Sequence, residues 1–172
     1  MSSSGGRELM NKSTIDHGYG EAFEGVLAEA ESFESSGDYG QAEGIYASII
    51  DRNPSLPYAF ARRGYAREKQ RNFQGAAEDY SVAIAMKPMS PITTWRRAIV
   101  FEHLDMLEEA KADYFRYLDM KGPDADTFFN LSMIYSYQGE AALALEYCQR
   151  AVAASPDNEQ LSGRLEVLLE RD

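Results

Sequence analysis

The amino-acid sequence predicts an all-α solenoid: four helix-turn-helix units of 34 residues each, closed by a C-terminal capping helix. Three observations carry this. Ala42, Ala76, Ala110 and Ala144 stand 34 residues apart, and 12 positions before each lies another small residue, Ala30, Gly64, Ala98 or Ser132. Four positions after each alanine come Tyr46, Tyr80, Tyr114 and Cys148, and eight after come Ile50, Ile84, Leu118 and Val152. Twelve after lie Pro54, Pro88 and Pro156, with Gly122 holding that place in the third unit and Pro123 following it.

Each column has a physical reason. Small residues at two fixed places let two helices approach closely. Apolar residues four apart along the second helix share one face. Proline ends each unit because it cannot continue a helix. Short turns separate the helices within a unit: Ser-Gly-Asp-Tyr at 36–39, Arg-Asn-Phe at 71–73, Leu-Asp-Met at 104–106 and Gln-Gly-Glu at 138–140. The units fall at approximately 23–56, 57–90, 91–124 and 125–158. A capping helix over 159–171 carries Leu161, Leu165, Leu168 and Leu169 as one apolar stripe, which a stack of repeats needs to cover its last face. Residues 21–172 form the repeat domain, and residues 1–20, polar and without periodicity, are expected to be a flexible tail.

A period of 34 with these columns resembles the tetratricopeptide repeat family. Gly37-Asp38-Tyr39-Gly40-Gln41-Ala42 looks like its inter-helix turn, and residues 76–88 look like a typical second helix. The resemblance covers residues 23–156 and implies a right-handed superhelix. Three positions depart from it: Thr94 stands where a large apolar residue is usual, Arg67 where an aromatic is usually buried, and the turn at 104–106 lacks glycine.

Composition narrows the function. The 172 residues carry a net charge of −11, which disfavours nucleic acid, bound through phosphate neutralisation, and anionic membrane surfaces. Cys148 is the only cysteine, so no intrachain disulfide forms, and a cytoplasmic protein is the simplest reading. No glycine-rich phosphate loop and no Cys or His pair at metal-ligand spacing is found, and His17 and His103 are the only histidines. Cys148 sits in a core-facing column and reads as a small buried residue. No catalytic, cofactor or metal site is expected, and the chain reads as a non-enzyme that binds a protein.

The resemblance also implies where a ligand would lie, because the first helices of such units line the concave face. Carried over position by position, the implied peptide-binding residues are Tyr58, Arg62, Tyr65, Lys69, Trp95, Arg96, Ile99, Phe129, Asn130, Met133 and Tyr137. Arg62, Arg96 and Asn130 form a ladder of donors suited to carboxylates or carbonyls. The aromatic and apolar members are anchors that the repeat core does not require. Residues 57–71 hold five basic and one acidic residue, whereas residues 21–54 hold one basic and eight acidic. This asymmetry favours a protein or peptide partner with an acidic and apolar segment. The competing reading is that Arg62 and Arg96 only pair with nearby glutamates such as Glu68 and Glu102. The five-residue carboxylate clamp of chaperone-binding family members is essentially absent, since only Arg96 matches it.

The expected function is that of an adaptor or scaffold holding a peptide in the concave groove. Two alternatives stay open: a chaperone similar to those of type III secretion translocators, and a structural repeat protein that self-assembles through its cap into a homo-oligomer.

Overall fold

The computed structural model describes residues 23–170. The expectations for the tail, His17 included, lie outside the described residues. Those residues form nine α-helices and an all-α helical-repeat solenoid: α1 (Glu24–Ser36), α2 (Tyr39–Arg52), α3 (Pro57–Lys69), α4 (Phe73–Met86), α5 (Pro91–His103), α6 (Leu107–Lys121), α7 (Ala125–Tyr137), α8 (Ala141–Ala154) and α9 (Glu159–Leu169). Each helix packs on its neighbours in sequence, and the α6–α7 seam is the thinnest.

Helix starts follow local chemistry. Asp38, Asn72, Asp124 and Asn158 cap α2, α4, α7 and α9 by accepting backbone N–H bonds, and Pro57 and Pro91 open α3 and α5. The turn within each unit repeats with the same period. Gly37, Arg71, Asp105 and Gly139, 34 apart, all take the left-handed conformation, with φ of 84°, 63°, 59° and 77°. After each, the next amide bonds back to a carbonyl five residues earlier: Asp38 to Phe33, Asn72 to Arg67, Met106 to Phe101 and Glu140 to Tyr135. The turn at 104–106 therefore keeps the shared geometry without glycine, as Asp105 tolerates the left-handed region better than most side chains.

The small-residue columns are the close contacts. Ala30, Ala42, Ala76, Ala98, Ala110 and Ala144 are all fully buried, as are Tyr46, Tyr80 and Tyr114. At Gly64 a Cβ would meet the Tyr80 ring at 2.9 Å, so this unit has no space even for alanine. Ala76→Leu or Ala110→Leu should overpack these contacts and cost about 1–3 kcal/mol, read as a lowered denaturation midpoint. Unchanged midpoints in both variants would contradict the packing.

Two departures from the repeat pattern are absorbed. Thr94 is fully buried and donates to the Ser90 carbonyl at 3.0 Å. Arg67 is half-buried between Glu43 and Asp79. The C-terminal stripe differs from expectation. Leu161 and Leu168 are buried and Leu165 partly so, but Leu169 is exposed. Eight residues turn a helix about 80° past its starting face, and Leu169 is the last residue of α9. Cys148 is buried, its Sγ 3.9 Å from the Leu161 carbonyl, and burial pushes its thiol up. Among the described residues no helix is long and apolar enough to cross a membrane.

Candidate functional site

Two ladders of polar contacts organise the helices, and both repeat. The first lies within units and joins residues 16 apart. Arg63 donates from Nε and Nη2 to the two Asp79 oxygens at 2.9 and 2.7 Å, and Arg97 does the same to Asp113 at 2.7 and 2.8 Å. Asp79 and Asp113 are buried, so each forked pair locks a first helix to its second. The sequence reading missed this ladder, although the spacing of 16 was available as a signal.

The second ladder runs along the odd-numbered helices, the inner face of such a superhelix, and joins residues 28 apart in successive units. Arg62 pairs with Glu34, and Arg96 donates to both Glu68 oxygens at 3.1 and 3.2 Å. Arg164 of α9 donates to Ser136 at 2.9 Å. Asn130 occupies the same rung against Glu102. It donates instead to the Tyr114 hydroxyl at 3.0 Å, while that hydroxyl donates to Glu102 at 2.5 Å. Tyr80 likewise donates to Glu68 at 2.6 Å. Burial pushes both phenols far up, with the neighbouring glutamates adding to the shift, so both hydroxyls stay protonated and act as donors.

This arrangement corrects the expected ladder of free donors. Arg62 and Arg96 do pair with glutamates, one repeat earlier than their nearest neighbours in sequence, because the superhelix sets each first helix against the previous one. Tyr65 is enclosed by the same cations, with the Arg96 guanidinium 4.3 Å from its ring centre and Lys69 at 5.3 Å. Tyr58 donates to Glu31 at 2.6 Å. Trp95, Ile99 and Phe129 are partly buried against the core of the last two units, and Trp95 packs near Tyr117. Met133 and Tyr137 are exposed, as is Ile92 on the same face. His103 is exposed, but its ring stacks on Phe73 at 4.2 Å.

The expected residues therefore divide into those that hold repeats together and those that are exposed. Of the exposed ones, Met133 and Tyr137 line a cleft of about 270 Å³ between α5 and α7, together with Glu102, Asp105, Leu107 and Ile134, while Lys69 lies outside it. A second cleft of about 580 Å³ lies among the even-numbered helices, around Met89 and Met120, and includes none of the expected residues.

Glu102, in the first cleft, has a raised pKa. Burial is the main cause, opposed by the Tyr114 hydrogen bond and the charge of His103. With its folded-state pKa above that of the unfolded chain, Glu102 contributes stability below the unfolded value and loses that contribution as pH rises through the folded value. Glu102→Gln should remove this loss. Its urea midpoint should gain on wild type as pH is raised from about 4 to about 7, across the carboxylate range. A gap constant over that range would mean that Glu102 titrates alike in both states.

Comparison with known proteins bears on both fold and site. Two tetratricopeptide repeat models match residues 27–91 and 125–158. Among solved structures, MamA 41-end from Desulfovibrio magneticus RS-1 superposes with a TM-score of 0.82 at 15% identity, over 88% of this chain and 86% of that one. A tetratricopeptide repeat protein from Parabacteroides merdae gives 0.79 at 17% identity, over 88% of this chain and 60% of that one. The first TPR of Spaghetti (RPAP3), bound to HSP90 peptide SRMEEVD, gives 0.64 at 24% identity, over 66% of this chain and 90% of that one.

Proposed function

The chain belongs to the tetratricopeptide repeat family, and from that premise we propose that this protein-interaction scaffold holds a peptide segment of a partner along the odd-numbered helices. One observation carries the reading. Ile92, Met133 and Tyr137, 53%, 42% and 75% exposed, present large apolar side chains on that face, where the repeat core does not use them. The peptide complex of the Spaghetti (RPAP3) repeat supports the same mode by analogy of fold.

In this reading Met133 and Tyr137 anchor apolar ligand side chains, flanked by Trp95, Ile99, Phe129 and Asn130. Tyr58, Tyr65 and Lys69 extend the surface toward the first unit. The acidic ligand segment expected from Arg62 and Arg96 loses its main support, since both guanidiniums already hold carboxylates. A cytoplasmic adaptor is the form of this reading that fits a single, buried cysteine, and a secretion-type chaperone is its narrower alternative.

The test substitutes exposed residues only, so that folding is spared. Ile92→Glu, Met133→Asp and Tyr137→Glu together should abolish partner capture in a pull-down read by mass spectrometry, while leaving the melting temperature near that of wild type. A partner retained by the triple variant would move the site off this face. Val167 and Leu169, exposed on α9, favour self-association through the cap as a second reading. Light scattering that finds a monomer at all concentrations would remove it.

A further inference from the structure

The second ladder is broken at one rung, and the break coincides with the cleft. Of the three glutamates at equivalent places, Glu34 and Glu68 each hold an arginine from the next unit. For Glu102 the next unit supplies Asn130, which donates to the Tyr114 hydroxyl, and no ion pair among the described residues includes Glu102. A half-buried carboxylate is left with one phenol donor and no ion-pair partner, beside Asp105 in the same cleft. Met133, Ile134 and Leu107 give the same cleft an apolar wall beside Glu102. Over the whole molecule the charge is −11, which draws in cationic ligands from a distance.

We propose that the cleft between α5 and α7 is a pocket for a lysine or arginine of the partner peptide, whose ammonium or guanidinium takes the vacant rung opposite Glu102 while an adjacent apolar residue packs on Met133 and Tyr137. The incoming cation completes the contact that Arg62 and Arg96 make inside the protein. The polarity is opposite to that expected from the arginine ladder, because both arginines are already held in ion pairs and Glu102 is in none. This inference rests on the peptide-groove reading and assigns its ligand class.

The experiment is a random-peptide display selection on three immobilised proteins: wild type, Glu102→Gln, and Asn130→Arg. Glutamine keeps an acceptor for the Tyr114 hydroxyl, and arginine at position 130 supplies the missing rung from within, so the two variants remove the pocket's charge in different ways. Melting curves establish that each is folded. Wild type is expected to enrich peptides with Lys or Arg next to a large apolar residue. Both variants should lose that enrichment, and a synthetic wild-type-selected peptide should bind each at least about tenfold more weakly, a difference of about 1.4 kcal/mol. Peptides displaced by the Ile92, Met133 and Tyr137 substitutions but without a basic residue would overturn this inference and leave the groove reading standing. Enriched basic peptides that bind both variants as well as wild type would likewise overturn it. No enrichment on any of the three would overturn both.

Discussion

The Arg62→Glu, Arg96→Glu double variant is expected to lose about 5 kcal/mol of unfolding free energy, a large fraction of the about 5–15 kcal/mol that holds a domain folded. Each substitution removes the cation from a buried carboxylate and sets a second carboxylate against it. The Glu34 and Glu68 side chains are 5% and 12% exposed, so water replaces the lost cation poorly. Breaking a buried pair by removing one partner costs about 3–5 kcal/mol. The lower end applies here, since the arginines are 19% and 28% exposed. The two rungs also share the Tyr65 ring, so their effects should fall short of additive. Chemical denaturation measures this directly. A loss below about 1 kcal/mol would mean that the guanidiniums are free to swing into solvent, and the acidic-ligand reading would regain its donors. Lost partner capture by this variant therefore does not separate a binding site from lost stability.

Arg97→Leu is expected to cost about 3 kcal/mol, and Arg97→Leu combined with Asp113→Leu to recover at least half of it. The single variant strands Asp113, 3% exposed, after removing both arms of a forked pair. The double variant replaces the pair by apolar groups, which is often neutral once no charge is left unpaired. Ser81, which also accepts from Arg97 at 3.0 Å, keeps its own bond to the Ala77 carbonyl at 2.7 Å. Recovery in the double variant would show that the cost is the stranded charge. Equal losses in both would instead place the cost in packing of the arginine stem.

Local regularities explain why so much of the fold is readable in the sequence. A helix pair is decided within one 34-residue unit by small residues where helices touch, an aromatic one turn along, and proline after the end. These are short-range rules, and four copies repeat them in register. Even the departures follow local chemistry: Asp105 enters the left-handed turn position without glycine, and Thr94 returns its hydroxyl to the Ser90 carbonyl. The same short-range logic misplaced Leu169, which stands at the edge of the stripe on the last residue of α9 and is exposed.

The sequence by itself determined the all-α repeat, the period, the buried columns and the helices that could line a groove. Only the tertiary structure decided which side chains on those helices are exposed and which are paired across units. Arg62, Arg96 and Asn130 look like equivalent donors along the chain. Two are consumed by Glu34 and Glu68 and the third answers to Tyr114, because partners 28 residues apart meet only when one unit is stacked on the next. Burial and pairing across units are properties of that stacking, and no local pattern carries them.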